Sequence, residues 1–360
     1  MSITFKILHS VILIVNVVVV LLLILSGYSY IVKPEHSIFL PLLCYLFPIL
    51  ALVNFSFILY WLLRFKIWIL IPLIGFLITF DIHKAWFPIG FSDEGINENT
   101  FSILSYNVKY FEYPYDKDAN KVHPAITYIQ ETDADIVCLQ EVGNEFINDE
   151  MNKRAVKKAL KAYPYIITGA SEGRYSVVCL SKYPVIWFKR ISYNSKSNSS
   201  FYYDLKIGDD TIRVINNHLE SNKLNPKEKD KYSYALRHRE SEDLTKLAEV
   251  LGSKVGSASS IRGYQAVAVS DLIKSSRYKV IVCGDFNDVP GSFTYRTIRK
   301  GLDDSWIENG FGWGNTFHDN LFLFRIDYIL HSPEIECVNT KIDKYKFSDH
   351  YPLRANFIIK

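Results

Sequence analysis

The sequence has 360 residues, of which 49% are hydrophobic and 22% are charged, with 41 Lys and Arg residues against 38 Asp and Glu residues. This composition excludes a disordered or low-complexity chain and leaves enough apolar residues for a large core. The charges are unevenly distributed, since residues 1–80 contain only Lys6, Lys33, Glu35, Arg64 and Lys66. The remainder holds 37 basic and 37 acidic side chains, so no general cationic field points to nucleic acid.

Three apolar segments near the N-terminus predict membrane-spanning helices. The stretch between Lys6 and Lys33 and the run 37–63 contain no Asp, Glu, Lys or Arg. Both exceed the ~20 apolar residues that cross a hydrocarbon core of about 30 Å. The third run, 67–80, is shorter and spans only if its flanking basic and aromatic residues anchor its ends. We therefore predict a transmembrane region over 1–80, with spans at about 7–31, 37–63 and 66–81.

The basic residues that flank these spans predict their orientation. Three lie on one side, Lys6, Arg64 and Lys66, and two lie on the other, Lys33 and Lys84. The positive-inside tendency then places the N-terminus in the cytoplasm and the rest of the chain outside, as an integral multi-pass protein with an extracytoplasmic domain. If the third run only re-enters the membrane, the same sequence places that domain in the cytoplasm.

After the apolar region the pattern changes twice. Residues 81–99 mix Pro, Gly, Asn and charges without periodicity, which predicts a linker. From residue 100 to residue 360, short apolar runs alternate with helical stretches and predict one α/β domain. We predict strands at 101–107, 135–141, 175–181, 211–219, 278–287 and 325–330, and helices at 119–132, 150–162 and 239–251.

Two further features of this domain carry structural predictions. The segment 222–262 is charged at first and rich in Ser and Gly at its end, which favours an elaborated loop beside the functional site. Cys138, Cys179 and Cys283 each lie in an apolar strand-like run. That placement predicts buried thiols and not a disulfide framework.

Polar side chains are concentrated at the C-terminal ends of the predicted strands, where Asn107, Glu141, His218, Asp285 and Asn287 lie. Asp327 lies inside the sixth predicted strand, and Asp349 and His350 follow near the C-terminus. Taken singly, each residue has an ordinary explanation as a turn, a cap or a structural histidine. Asp327 stands out because a carboxylate in an apolar strand costs several kcal/mol unless it has a partner such as a histidine.

The series SYNVKYF, DIVCLQEV, VINNHLES, VCGDFND, RIDYIL and SDHYPL resembles, in order and spacing, the endonuclease/exonuclease/phosphatase superfamily. That superfamily includes deoxyribonuclease I, abasic-site endonucleases, inositol-polyphosphate 5-phosphatases and neutral sphingomyelinases. The resemblance covers residues 100–360 and implies a four-layer α/β sandwich, with two mixed β-sheets flanked by helices. Here that sandwich would follow an N-terminal bundle of about three transmembrane helices.

The resemblance also implies a metal site. Glu141 matches the principal metal ligand of the superfamily, Asn107 matches its companion near the metal and phosphate, and Asp349 is a candidate for a second metal position. A carboxylate and an amide oxygen suit a hard ion such as Mg²⁺, with Mn²⁺ as the alternative. No other cofactor is implied.

Five residues match the catalytic positions of the superfamily. Asp285 would orient or deprotonate the attacking water and Asn287 would fix the in-line geometry. His350, held by Asp327, would stabilise charge on the phosphate, and His218 would be a second histidine there. The implied reaction is a metal-assisted displacement by water without a covalent intermediate.

Three functions remain open for such a chain. The first is a membrane-anchored phosphoesterase acting on a lipid-linked or head-group phosphate within reach of the bilayer. The second is an extracytoplasmic nuclease, although its expected basic stripe is not evident in the balanced charge. The third is a non-catalytic binding module, against which stands the presence of every motif residue. Nothing in the sequence indicates an oligomeric state.

Overall fold

The computed structural model describes residues 3–91, 100–112, 121–169, 175–193, 195, 198–223, 234, 241–319 and 322–360. Residues 3–91 are mainly helical. Their α-helices are α1 (Ile3–Gly27), α2 (Phe39–Tyr45), α3 (Phe47–Leu63), α4 (Leu70–Ile78) and α5 (Phe80–Trp86). The first part of the predicted linker is therefore helical, and residues 92–99 of it lie outside the described residues.

Among the described residues, one helical segment, Ile7–Ile31, is long and apolar enough by itself to cross a membrane. The second and third predicted spans are each broken into two helices. The pair α2 and α3 bends by 56°, and the helical segment Ile67–Ile78 bends by 63° against α5. Pro48 contributes to the first bend, because it lies in the first turn of α3 and has no N–H to donate to α2.

The rest of the described chain forms two six-stranded sheets. Their strands are β1 (Phe101–Asn107), β2 (Ile136–Gly143), β3 (Tyr165–Gly169), β4 (Tyr175–Ser181), β5 (Val185–Arg190), β6 (Ser199–Ile207), β7 (Asp210–His218), β8 (Lys279–Asp285), β9 (Asp303–Asp304), β10 (Phe317–Asp319), β11 (Phe322–Phe324), β12 (Asp327–His331), β13 (Ile335–Ile342) and β14 (Leu353–Ile359). The first sheet has the order β13-β14-β1-β2-β4-β3 and the second β5-β6-β7-β8-β12-β9, while β10 and β11 form a separate hairpin. Both sheets are mixed, since β1 pairs with β2 and β7 with β8 in parallel and the other neighbours are antiparallel.

Helices cover the outer face of each sheet. They are α6 (Pro124–Thr132), α7 (Asn144–Asn148), α8 (Arg154–Ala159), α9 (Ser241–Lys274) and α10 (Phe293–Arg299). The short helix α11 (Ser305–Asn309) contacts strands of both sheets, with Trp306 in the core between them. The facing sides of the two sheets bury one core, α6 to α8 pack on the first sheet, and α9 and α10 pack on the second. The predicted α/β sandwich with two mixed sheets flanked by helices is confirmed. Cys138, Cys179 and Cys283 are buried free thiols in it, as predicted.

The loop predicted over 222–262 is replaced by a helix from residue 241 onward, which over 241–251 agrees with the helix predicted at 239–251. Helix α9 runs through the Ser/Gly-rich stretch without a break, and residues 224–233 and 235–240 lie outside the described residues. The glycines there serve close packing. A Cβ atom at Gly256 would lie 2.3 Å from Cγ2 of Ile38, and one at Gly252 would lie 3.3 Å from Cδ1 of Leu42. Tertiary packing against the N-terminal region therefore overrides the low helix propensity of glycine.

The N-terminal helices pack directly on the sandwich. Phe47 and Trp86 share one buried apolar cluster with Val289 and Ile326 of the sandwich. Arg325 reinforces the contact, since its Nη2 donates a 2.8 Å hydrogen bond to the carbonyl oxygen of Ala85 in α5. The two regions of the described chain are thus joined through a common core.

Candidate active site

The predicted polar residues converge because of strand direction. Strands β1, β2, β7 and β8 bring their carboxyl ends to one edge of the sandwich, and β12 starts at that edge. His218 is paired in register with Asp285 on β7 and β8, and Asp285 is paired with Asp327 on β8 and β12. Asp327 is thus the first residue of β12. The sequence had predicted it inside a strand over 325–330.

Glu141 lies where β2 departs from regular pairing. The register between β2 and β4 shifts between Leu139 and Val142, and the φ of Glu141 is 53°. A left-handed backbone at a residue with a side chain costs about 1–3 kcal/mol, and such strain is often found at functional sites. Asn287, with the same φ of 53°, adopts this conformation two residues after β8.

One group at this edge contains Asn107, Glu141, His218 and Asp285. The side-chain amide of Asn107 donates to Oε1 of Glu141 at 3.1 Å and to Oδ2 of Asp285 at 3.0 Å. Nε2 of His218 lies 3.3 Å from Oε1 of Glu141. The candidate ligand atoms of Glu141, His218 and Asp285 all lie within 4.8 Å of one another.

The charges in this group are mutually supporting. Burial would raise the pKa of Glu141, but the hydrogen bond and charge of His218 outweigh burial and lower that pKa. Burial would lower the pKa of His218, but Glu141 outweighs it and raises that pKa. Each of the two groups therefore favours the charged form of the other, an imidazolium beside a carboxylate.

Asp285 is the centre of the hydrogen bonds at the site. Its Oδ1 accepts from the backbone N–H of Asn287 at 2.8 Å, and its Oδ2 accepts from the Asn287 side-chain amide at 3.1 Å. Burial, together with the negative charge of Asp327, raises the pKa of Asp285 to about 6. This carboxylate is mostly ionised at neutral pH and is basic enough to accept a proton.

His350 and Asp327 form the expected pair. Nδ1 of His350 lies 2.8 Å from Oδ2 of Asp327, and its Nε2 lies 3.8 Å from Oδ2 of Asp285. Burial would lower the pKa of His350, but the charges of Asp327 and Asp285 outweigh it and raise that pKa to about 10. The ring is therefore an imidazolium at neutral pH, with Nδ1 held by Asp327.

Asp349 is not brought into either group. Its Oδ2 forms a 2.8 Å ion pair with Nζ of Lys109 instead. The neighbouring Ser348 ties this segment to the end of β1, because its Oγ donates a 2.7 Å hydrogen bond to the carbonyl oxygen of Asn107. Asp349 is thus beside the site, with its charge balanced by a lysine.

Several residues at the site were missed in the sequence. Lys109 lies in the SYNVKYF motif, two residues after Asn107, but was not predicted as a site residue. Asn198 places its amide 3.4 Å from Nε2 of His218, but its Ser/Asn-rich surroundings give no signal. Thr316 accepts hydrogen bonds from the backbone N–H groups of Ile326 and Asp327, each at 3.1 Å. Such partners come from distant loops and become visible only in the fold.

The donor set fits a divalent cation. The buried Asp285 and Asp327 and the partly exposed Glu141 bring three carboxylates to one edge, against two histidines. Carboxylate and amide oxygens are the ligands that hard cations prefer. Burial is the main cause of the raised pKa of Asp285, and the charge of Asp327 adds to it. A cation beside Asp285 would favour its ionised form. Residues Glu141, Asn107 and Asp285 could therefore hold such an ion.

Another cluster of titratable groups lies at the opposite end of β12. Nε2 of His331 contacts Oε2 of Glu308 at 2.8 Å, with Cys337 nearby. This distance is that of a direct hydrogen-bonded ion pair, and the cluster is remote from the residues described above.

Comparison with known proteins identifies relatives of both parts of the chain. The sequence profile of the endonuclease/exonuclease/phosphatase family matches residues 104–350, and the profile of a domain of unknown function, DUF8431, matches residues 9–86. No curated protein matches the chain. Similar folds are found among solved structures.

Three of these structures illustrate the likeness. An endonuclease/exonuclease/phosphatase from Beutenbergia cavernae has 14% identity and a TM-score of 0.50, over 73% of this chain and 72% of that one. TDP2 from D. rerio, in complex with a single-strand DNA product, has 18% identity and a TM-score of 0.49, over 72% of this chain and 99% of that one. ANGEL2, a 2',3'-cyclic phosphatase, has 18% identity and a TM-score of 0.47, over 75% of this chain and 99% of that one. At these identities the matches concern the fold alone.

Proposed function

Because this chain belongs to the endonuclease/exonuclease/phosphatase family, whose members are metal-dependent phosphoesterases, we propose that it is a membrane-anchored phosphoesterase. It hydrolyses a phosphate ester or diphosphate by in-line attack of water. Its substrate is membrane-associated and lipid-linked, and its metal is Mg²⁺, with Mn²⁺ as the alternative. The observation that carries the catalytic part is the convergence of a buried carboxylate pair and two histidines at one edge of the sandwich.

The metal position is assigned to Glu141 and Asn107, with Asp285 beside them. A bound divalent cation supplies charge neutralisation at the phosphoryl oxygens. Asp349 is assigned a positioning role through its ion pair with Lys109. His218 stabilises the charge of Glu141 and faces the same edge.

The proton chemistry is assigned to Asp285. With a pKa of about 6 it is mostly ionised near neutral pH and can take a proton from the attacking water. Asn287 fixes this carboxylate through its backbone N–H and its side-chain amide. The imidazolium of His350, oriented by Asp327, stabilises negative charge that develops on the phosphoryl group.

The membrane part of the proposal is supported by the path from the site to the N-terminal helices. The side chain of Tyr45 in α2 donates a 3.2 Å hydrogen bond to Oδ1 of Asp288, the residue after Asn287. Val289 and Ile326, which adjoin the site residues in sequence, pack against the same helices. The residues next to the site in sequence therefore contact the apolar helices directly, which would bring a substrate held in the bilayer close to the site.

We also propose that the region matched by DUF8431 crosses the membrane three times and leaves the catalytic domain outside the cytoplasm. In this arrangement each bent helix pair acts as one span. To test on which side of the membrane the catalytic domain lies, a cysteine is introduced at the C-terminus of the protein. Intact cells are then labelled with an impermeant thiol reagent. Labelling only after permeabilisation would contradict it.

The substrate is tested with the full-length protein in detergent, given Mg²⁺ or Mn²⁺. Polyprenyl diphosphate, a phospholipid, plasmid DNA and RNA are compared at equal phosphate concentration. Preferential hydrolysis of a lipid phosphate is expected. Preferential cleavage of DNA that falls steeply with added salt would favour a nuclease, and inertness toward every substrate would favour a binding module.

A further inference from the structure

A cationic cavity lies where the first apolar segment meets the sandwich. It has a volume of about 350 Å³ and lies between Tyr30 and Ile31, which follow α1, and the basic ends of α9 and α10. Its walls carry three basic side chains, Lys274, Arg296 and Lys300. This cavity is separate from the residues of the candidate active site.

Arg296 is the central group of the cavity. Its guanidinium lies over the ring of Tyr30, at 5.2 Å from the ring centroid. Its Nε and Nη2 atoms are buried and, within the described part of the chain, have no hydrogen-bond partner. Buried N–H groups without acceptors are unfavourable, so this arrangement is suited to an anion that supplies acceptor atoms.

The nearby carboxylates are engaged elsewhere. Asp288 binds Arg262, with Oδ2 at 3.1 Å from Nε, and also accepts a hydrogen bond from Thr294. Asp271 pairs with Lys274 at 3.2 Å, and both of those side chains are largely exposed to solvent. The described residues therefore leave Arg296 and Lys300 as net positive charge at the cavity.

The position of the cavity indicates the source of the anion. Ile31 is the last residue of the segment Ile7–Ile31, the described segment that is long enough to cross a membrane alone. Tyrosine is favoured at the level of lipid headgroups, and basic side chains there attract anionic lipids. A guanidinium also matches phosphate oxygens better than an ammonium does.

We propose that this cavity binds a phosphate-bearing anion, supplied by the headgroup of an anionic membrane phospholipid. The site depends on membrane insertion of the first apolar segment and not on the proposed catalytic activity. Because α10 begins at the end of the loop that carries Asn287, the lipid would also hold that loop close to the membrane surface.

The test uses the full-length protein in nanodiscs of phosphatidylcholine, with or without phosphatidylglycerol. The variant Arg296→Gln/Lys300→Gln is compared with Lys157→Gln/Lys158→Gln, which removes the same charge from α8 on the other sheet. Phosphatidylglycerol is expected to raise the Tm of the wild type and of the control. In the Arg296→Gln/Lys300→Gln variant that rise should shrink by more than half.

Two results would overturn the proposal. An equal rise in all three proteins would show general electrostatic attraction without a site. Equal stabilisation by inorganic phosphate in discs of phosphatidylcholine alone would show a site for a free anion and not for a lipid. If the double variant does not fold, the exposed Lys300→Gln substitution is used with native mass spectrometry. Unchanged retention of phosphatidylglycerol in it would likewise contradict the proposal.

Discussion

At the scale of single residues, the side chain of Asp285 connects the two halves of the candidate site. It accepts hydrogen bonds from Asn107 and Asn287 and lies near the ring of His350. Its raised pKa, about 6, comes from burial and from Asp327. A carboxylate in such surroundings is suited to act as a base, whereas an amide of the same shape is not.

The substitution Asp285→Asn is therefore expected to lower kcat by about 10²–10⁴-fold, which is the usual contribution of a general base. The fold should be retained because the two side chains are isosteric. Hydrolysis rates and Tm are measured together, with the exposed Asp271→Asn as the matched control. A kcat within a few-fold of the wild type would remove Asp285 from the proposed mechanism.

The ion pair of His331 with Glu308 predicts a pH dependence of stability. Burial would lower the pKa of His331, but the hydrogen bond and charge of Glu308 outweigh burial and raise that pKa. A pKa that is higher in the folded than in the unfolded state contributes stability that is complete below the unfolded value of about 6.5. That contribution is lost as the pH rises through the folded value.

The Glu308→Gln variant should consequently have a lower Tm than the wild type at pH 5.5, and the difference should shrink toward pH 9. The control is Glu336→Gln, which removes an exposed carboxylate on β13. A Tm difference that is constant across this pH range would show that the pair does not titrate as described.

At the scale of elements, the glycines of α9 decide how closely this helix approaches the N-terminal region. The position of a Cβ at Gly256 is only 2.3 Å from Ile38. The same helix carries Arg262, whose ion pair with Asp288 lies behind the loop of Asn287. A displaced α9 would therefore disturb both the junction and the site.

Gly256→Leu is expected to destabilise the protein by about 1–3 kcal/mol, as overpacking of a close contact does. The matched control is Ser257→Leu, the next residue on the same helix, which is exposed. Tm is measured for both proteins in the same detergent. An equal effect of the two substitutions would mean that the contact with Ile38 is not close in solution.

The sequence predicted those strands and helices whose conformation follows from their own residues. Apolar β-branched runs predicted the strands that carry Asn107, Glu141 and Asp285 near their carboxyl ends, and strand direction brought these side chains together. The sequence was uninformative where packing between distant segments determines the local structure. The Ser/Gly stretch of α9 is helical because its small residues meet Ile38 and Leu42, which no local pattern reveals. Likewise, Asp349 faces Lys109 because of a loop conformation and not a motif.

At the scale of the whole molecule, the apolar region and the sandwich share a buried cluster. Trp86 is 1% exposed and packs with Val289 and Ile326, and its ring lies 5.4 Å from that of Trp313. This contact implies that the N-terminal region supports the sandwich. The two matched regions, residues 9–86 and 104–350, lie on either side of this junction.

Trp86→Ala is expected to lower the stability by about 3–5 kcal/mol, as loss of a large buried aromatic ring does. Its neighbour Phe87 is 40% exposed, so Phe87→Ala serves as the control with a smaller effect. Thermal unfolding and limited proteolysis between residues 86 and 100 report the loosened junction. Matching Tm and cleavage rates in the two variants would indicate that the regions are only tethered.

The central claim is metal-dependent hydrolysis of a phosphate ester or diphosphate at the edge that carries Glu141. Its most direct test is phosphate release from polyprenyl diphosphate by the full-length protein, measured while Mg²⁺ is titrated after chelation. We expect no turnover without the cation, saturation as Mg²⁺ is added, and loss of turnover in folded Glu141→Gln at every Mg²⁺ concentration. Turnover that is independent of the cation, or retained in the Glu141→Gln variant, would contradict it.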